Sequence, residues 1–120
     1  MSHLLSKSTY MRGRQCPKAL WLYKHRRELL PPADAARQSV YDTGTAVGLL
    51  AQQIFPGGVD CTPETPLDFA PAIVATQRAI AAGATVIYEA AFLHDGVLAA
   101  LDILVKDADG WKAYEVKSST

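Results

Sequence analysis

Four side chains have types and spacing that can do chemistry: Glu89, Asp102, Glu115 and Lys117. They lie in the last third of the 120-residue chain, where three runs of strand-forming residues are separated by turn signals. The first link, Asp95-Gly96, is a strong two-residue hairpin signal and sets His94 opposite Val97. Counting outward from that pair brings Glu89 opposite Asp102. The second link, 107–110, reads as a four-residue turn that sets Lys106 opposite Trp111. Asp102 then faces Glu115, and Lys117 shares the face of Glu115 because strand side chains alternate.

Three carboxylates in one row across three strands would have β-carbons about 4.5–5.5 Å apart and would repel one another. Protonation or a bound cation relieves that repulsion. All-oxygen ligation suits Mg²⁺ or Mn²⁺ better than zinc. In this reading Asp102 and Glu115 hold the metal, and the backbone carbonyl of Val116 is an additional ligand. Glu89 assists, directly or through water. Lys117 orients the attacking water or neutralises charge on a phosphate. Asp102 is the least comfortable of the four as structure, because it interrupts an apolar run, 97–105, that reads as a buried strand. The competing reading is an open, solvated face. It would also expose Ile87, Leu93, Leu98, Leu104 and Trp111, which share that parity, and a one-residue slip of either hairpin would dissolve the row.

The elements that must position these residues read as helices followed by strands. Ser6 or Ser8 caps a short helix over about 9–15, and Pro17 suits the first turn of a second, with Ala19, Leu20, Leu22 and Tyr23 on its apolar side. Pro31-Pro32 ends that unit. Asp34 caps a longer helix to about Ile54, in which Val40, Val47, Leu50, Ala51 and Ile54 recur at helical spacing. Gly44 and Gly48 inside it suggest close approach of another backbone. Residues 59–67 read as a loop broken by Pro63 and Pro66, residues 69–82 as a further helix stopped by Gly83. Strands are expected over 85–93, 97–106 and 111–118. The fold class is α+β, in one domain: 1–58 helical, 68–120 a helix plus a three-stranded antiparallel meander.

The net charge is zero, with twelve basic and twelve acidic residues, but the distribution is uneven. Residues 1–27 hold seven of the basic side chains and no acid. A basic arm ahead of an acidic body suits a phosphate-binding surface beside a cation site, with Lys7, Arg12, Arg14 and Lys18 as DNA contacts. The competing reading is a solvated helix face. No run approaches the ~20 apolar residues that span a bilayer, no signal-peptide pattern opens the chain, and a cytoplasmic location is the default. Cys16 and Cys61 read as unrelated thiols, Cys16 as a buried core thiol.

Asp102, twelve residues, then Glu115-Val116-Lys117 resembles the signature of the PD-(D/E)XK nuclease superfamily. The run from Leu5-Ser6-Lys7-Ser8 to Cys16-Pro17-Lys18-Ala19-Leu20-Trp21-Leu22 resembles the RecB-like and CRISPR-associated exonuclease branch, as does Thr43-Gly44-Thr45-Ala46-Val47-Gly48. Over nearly the whole chain the likeness is to an uncharacterised bacterial family of that branch. It implies a restriction-endonuclease-like α/β core, metal-dependent hydrolysis of DNA phosphodiesters, and Asp102, Glu115 and Lys117 in the catalytic roles. Gly48 stands where relatives carry a metal-binding histidine, which leaves Glu89 to compensate. Cys16 matches the first of four iron–sulfur ligands in some relatives. No three-cysteine partner follows, so cluster binding is not expected of this chain alone. Relatives continue into a further helix and strand, so the sequence reads as an N-terminal part whose core is incomplete after Thr120, able to dimerise through an open sheet edge and completed by a C-terminal remainder. The alternative to a nuclease is a non-catalytic nucleic-acid-binding module that uses the basic arm. A third reading makes the acids surface decoration on an interaction domain.

Overall fold

The computed structural model describes residues 4–32, 34–65 and 68–118. Pro66 and Thr120, which figure in the sequence reading, lie outside them. Ser6 caps α1 (Lys7–Gln15) with a full capping box: its hydroxyl accepts from the Thr9 N–H and its own N–H donates to Thr9 Oγ1. The helix thus begins two residues before the expected Thr9. Pro17 opens α2 (Pro17–His25) at its first turn. The two helices cross closely because residue 13 has no side chain, and a β-carbon there would stand 2.7 Å from Leu20 Cδ2. Asp34 caps α3 (Ala35–Gln52) by accepting from the Arg37 N–H at 2.8 Å. The last helix, α4, spans Ala70–Ala81.

Beside the helices lies a mixed sheet. Its meander comprises β3 (Val86–His94), β4 (Val97–Asp107) and β5 (Gly110–Tyr114). Two short strands extend it: β1 (Leu5–Ser6), parallel to β4, and β2 (Val59–Asp60), parallel to β3. Neither was expected, since two residues carry no alternation to read. Val59 and Asp60 therefore correct the loop assignment for 59–67. Both hairpin registers are as counted: His94 pairs with Val97, and Lys106 with Trp111. Asp95 and Gly96 take φ of 48° and 75°, the geometry of a type I′ turn. Asp107 and Gly110 also pair, so the second link is tighter than the expected four residues with its register unchanged.

The core lies between α4 and the sheet, where Cys61, Ala79, Ile87, Ala90 and Leu104 pack together. Thr76, fully buried, joins the two layers. Its hydroxyl donates to the Ala72 carbonyl at 2.8 Å and accepts from the Ala91 N–H at 2.9 Å.

The third helix departs from expectation. None of its residues is buried; Val40, Leu50 and, just beyond its end, Ile54 are 67%, 63% and 73% exposed. A β-carbon at Gly44 or Gly48 would meet nothing within 4 Å, so no backbone approaches there. The helical spacing was right, but among the described residues that face is largely uncovered, with Val47 and Ala51 half-buried and the other three exposed. What ties α3 to the sheet is its C-terminal end. The Tyr88 hydroxyl bonds the Phe55 carbonyl and accepts from the Gly58 N–H at 3.0 Å, and its ring lies where a β-carbon on Gly58 would stand only 2.4 Å away. Phe55 also packs against Tyr114, ring centroids 4.9 Å apart.

Candidate functional site

The carboxylate row falls where both ladders break. Pairing of β3 with β4 holds on either side of Glu89 and Asp102 but skips them, and Glu89 takes φ 56°. Beyond Tyr114, β5 pairs no further, although Glu115 is next in register with Asp102. The strand expected to reach residue 118 therefore ends early. The cause is visible in one bond: Asp102 Oδ2 accepts the Val116 N–H at 2.7 Å. A side chain has taken the place of a ladder carbonyl.

The positive φ at Glu89 also breaks the alternation on which the single row depended. Ile87 and Ala90, three apart, both pack into the α4 core. Glu89 instead lines a hollow of about 540 Å³ on the α3 side, together with Asp60, Asp102, Ile103 and Val116. Ile87 and Leu104, expected on the carboxylate face, are thus buried away from it. Tyr114 stacks on Phe55 at the end of α3, so alternation sends Val116 to the α3 side and Glu115 and Lys117 to the other. The last two line a groove of about 640 Å³ beside α1 and α2. The row becomes two half-sites. They meet at a cleft between β1 and β5, which Asp102 and Glu115 both line.

Their electrostatics are opposite. In the α3 hollow, burial, with the charges of Asp102 and Asp60 behind it, pushes the Glu89 carboxyl above the usual glutamate range. On the other side, Glu115 Oε1 is bonded by the Lys7 ammonium and lies 3.0 Å from Lys117 Nζ. Lys7 first, and Lys117 second, hold its carboxyl below that range. Glu115 in turn, with a smaller contribution from Asp102, raises Lys117 above the ordinary lysine value. Among the described residues no three His, Cys, Asp or Glu side chains stand close enough to hold one ion.

Asp60 belongs to the acidic half-site and was missed. It sits on the two-residue β2, opposite Tyr88 in register, and no local pattern marked it. Of the expected DNA contacts, Lys7 and Arg12 converge near the groove. Arg12 stacks on the Tyr23 ring, which lines it. Arg14 and Lys18 are exposed and line none of these hollows. Lys24, Arg27 and Lys117 take their place in the groove. Cys16, expected in the core, is exposed at the N-cap of α2, and Cys61 is the buried thiol; both are free.

No known family's model, no curated protein and no solved structure matches the chain. No helix among the described residues is long and apolar enough to cross a membrane.

Proposed function

We propose that the chain carries the hydrolytic centre of a metal-dependent nuclease of the PD-(D/E)XK type, acting on DNA phosphodiesters. The observation that supports it is the pairing break at Asp102. One carboxylate borders the acidic hollow, holds the Val116 N–H, and shares a cleft with Glu115, whose neighbour Lys117 lines the adjoining groove. Hard oxygen donors crowd one side, and the Glu89 carboxyl, raised first by burial and then by the charges of Asp102 and Asp60, is one whose ionised form a cation would stabilise. Asp102, Glu89 and the Val116 carbonyl would hold Mg²⁺ or Mn²⁺, with Glu115 joining once it exchanges Lys7 for the ion. Such an ion acidifies a bound water and polarises the phosphodiester. Lys117, paired with Glu115 in the adjoining groove, is the proton-bearing cation suited to hold that water or to offset charge developing on phosphate.

Calorimetric titration with Mn²⁺ tests the reading. Asp102→Asn keeps an oxygen to accept the Val116 N–H, so the cleft survives while one ligand charge is lost. Wild type should bind and cleave labelled DNA in Mn²⁺, and the variant should do neither. Equal binding by both would remove the metal centre.

A second reading, a non-catalytic nucleic-acid-binding module, draws on the Lys7–Glu115 ion pair, which engages a carboxylate the hydrolytic reading needs. It expects DNA affinity that survives Glu115→Ala and no cleavage in any divalent metal.

A further inference from the structure

Tyr23 holds two guanidiniums at once. Arg12 Cζ stands 4.4 Å from its ring centroid and Arg27 Cζ 4.3 Å. Two planar cations cannot share one face of a ring at that distance without overlapping, so the ring lies between them. Arg12 arrives from α1, across the close helix crossing at Gly13. Arg27 follows Tyr23 by one helical turn and is fixed by donating its Nε–H to the Tyr23 carbonyl at 3.1 Å.

The arrangement is costly without an anion. Among the described residues neither guanidinium pairs with a carboxylate, whereas the neighbouring Arg26 takes Glu28. Cation–π attraction offsets part of the repulsion and fixes both planes. The terminal N–H groups of Arg27 stay free to make the paired bonds that phosphate oxygens accept. Tyr23, Lys24 and Arg27 line the same groove as Lys7, Glu115 and Lys117, so the cations continue up to the cleft. With both ring faces taken, Tyr23 has none left for a nucleobase. At Tyr23 the surface is thus set to hold backbone charge and not a base.

We propose that Tyr23 is a positioning residue that stacks Arg12 and Arg27 into a two-armed clamp for the phosphates of a nucleic-acid strand leading to Glu115 and Lys117. The direction of that path rests on the hydrolytic reading; the clamp itself does not.

Fluorescence anisotropy with a labelled mixed-sequence DNA oligonucleotide, in EDTA, tests the clamp without metal or turnover. Each phosphate contact contributes about 0.9 to the slope of log affinity against log salt. Arg12→Gln and Arg27→Gln should each weaken binding about tenfold and lower that slope by about 1. Tyr23→Leu should lower it by about 2, while Tyr23→Trp, which keeps a cation–π face, should hold it near wild type. A purely structural role for Tyr23 would shift the unfolding midpoint and leave the slope alone. A wild-type slope in folded Tyr23→Leu overturns the clamp. Slopes that fall equally in Arg14→Gln or Lys18→Gln, neither of which stacks on Tyr23 as Arg12 and Arg27 do, overturn it too. Salt slopes that behave as stated in a protein that never cleaves DNA would uphold the clamp and count against the hydrolytic centre alone.

Discussion

The two halves of the carboxylate site lie on either side of Asp102, one on β2 and β3 and the other just past β5, yet hold their charges in opposite ways. Glu89 is half-buried beside Asp102 and Asp60, and its carboxyl is pushed up. Glu115 is exposed between Lys7 and Lys117, and its carboxyl is held down. Two glutamates on one register line thus differ because one is half-buried beside acids and the other is exposed between two ammonium groups. The lesson concerns burial as much as partners. Exposed ion pairs are worth little to stability and exchange readily, whereas unrelieved charge in a half-buried hollow carries a standing cost. A cation entering this region therefore has a vacant demand on one side and a replaceable lysine pair on the other.

The largest test of that contrast is Glu115→Gln. If Glu115 leaves Lys7 to complete the centre, the substitution should lower DNA cleavage in Mn²⁺ by roughly 10²-fold or more, the range seen when one group stabilising developing charge is lost. Metal-free oligonucleotide binding should hold or strengthen, because the groove loses its negative charge. Cleavage equal to wild type would mean that the acidic half-site works alone.

A smaller effect follows from Lys7→Met. The ammonium competes with a divalent ion for Glu115, so its removal should tighten Mn²⁺ binding a few-fold by calorimetry. Weaker binding would show that Lys7 organises the carboxylate for the ion instead of excluding it.

The smallest effect is a pH dependence. The folded Glu89 carboxyl titrates above the ordinary glutamate range, chiefly because it is half-buried, so its ionised form disfavours the folded state. Below that ordinary range the group is protonated in folded and unfolded chains, and that cost is absent. It grows as pH rises through the raised folded value and is complete above it. In metal-free protein, Glu89→Gln should therefore raise the unfolding midpoint at pH 7 and leave it nearly unchanged near pH 4. Saturating Mn²⁺ should cancel the difference in favour of wild type. A midpoint difference that does not vary with pH would show that neither burial nor the charges of Asp102 and Asp60 perturb the Glu89 carboxyl.

Local chemistry was legible wherever one residue's own preference decided the outcome. Ser6 and Asp34 cap helices, Pro17 opens one, and Asp95-Gly96 closes the hairpin, because hydrogen-bond reach and allowed φ act over a few residues. The turn in turn dictates strand register, which is why Glu89, Asp102 and Glu115 could be brought together on paper. What only the tertiary structure decided is which way those side chains face. A positive φ at Glu89 interrupts the alternation that the register assumed, and the capture of the Val116 N–H by Asp102 ends the β4–β5 pairing before Glu115. Long-range partners also escaped: Asp60 reaches the hollow through a two-residue parallel strand, Lys7 reaches Glu115 from the far end of the chain, and α3 leaves its apolar face largely uncovered among the described residues. Sequence patterns report what a residue prefers next to its neighbours in the chain. Two acids or an acid and a lysine meet only where packing of separate elements carries them, and that depends on energies summed over the whole fold.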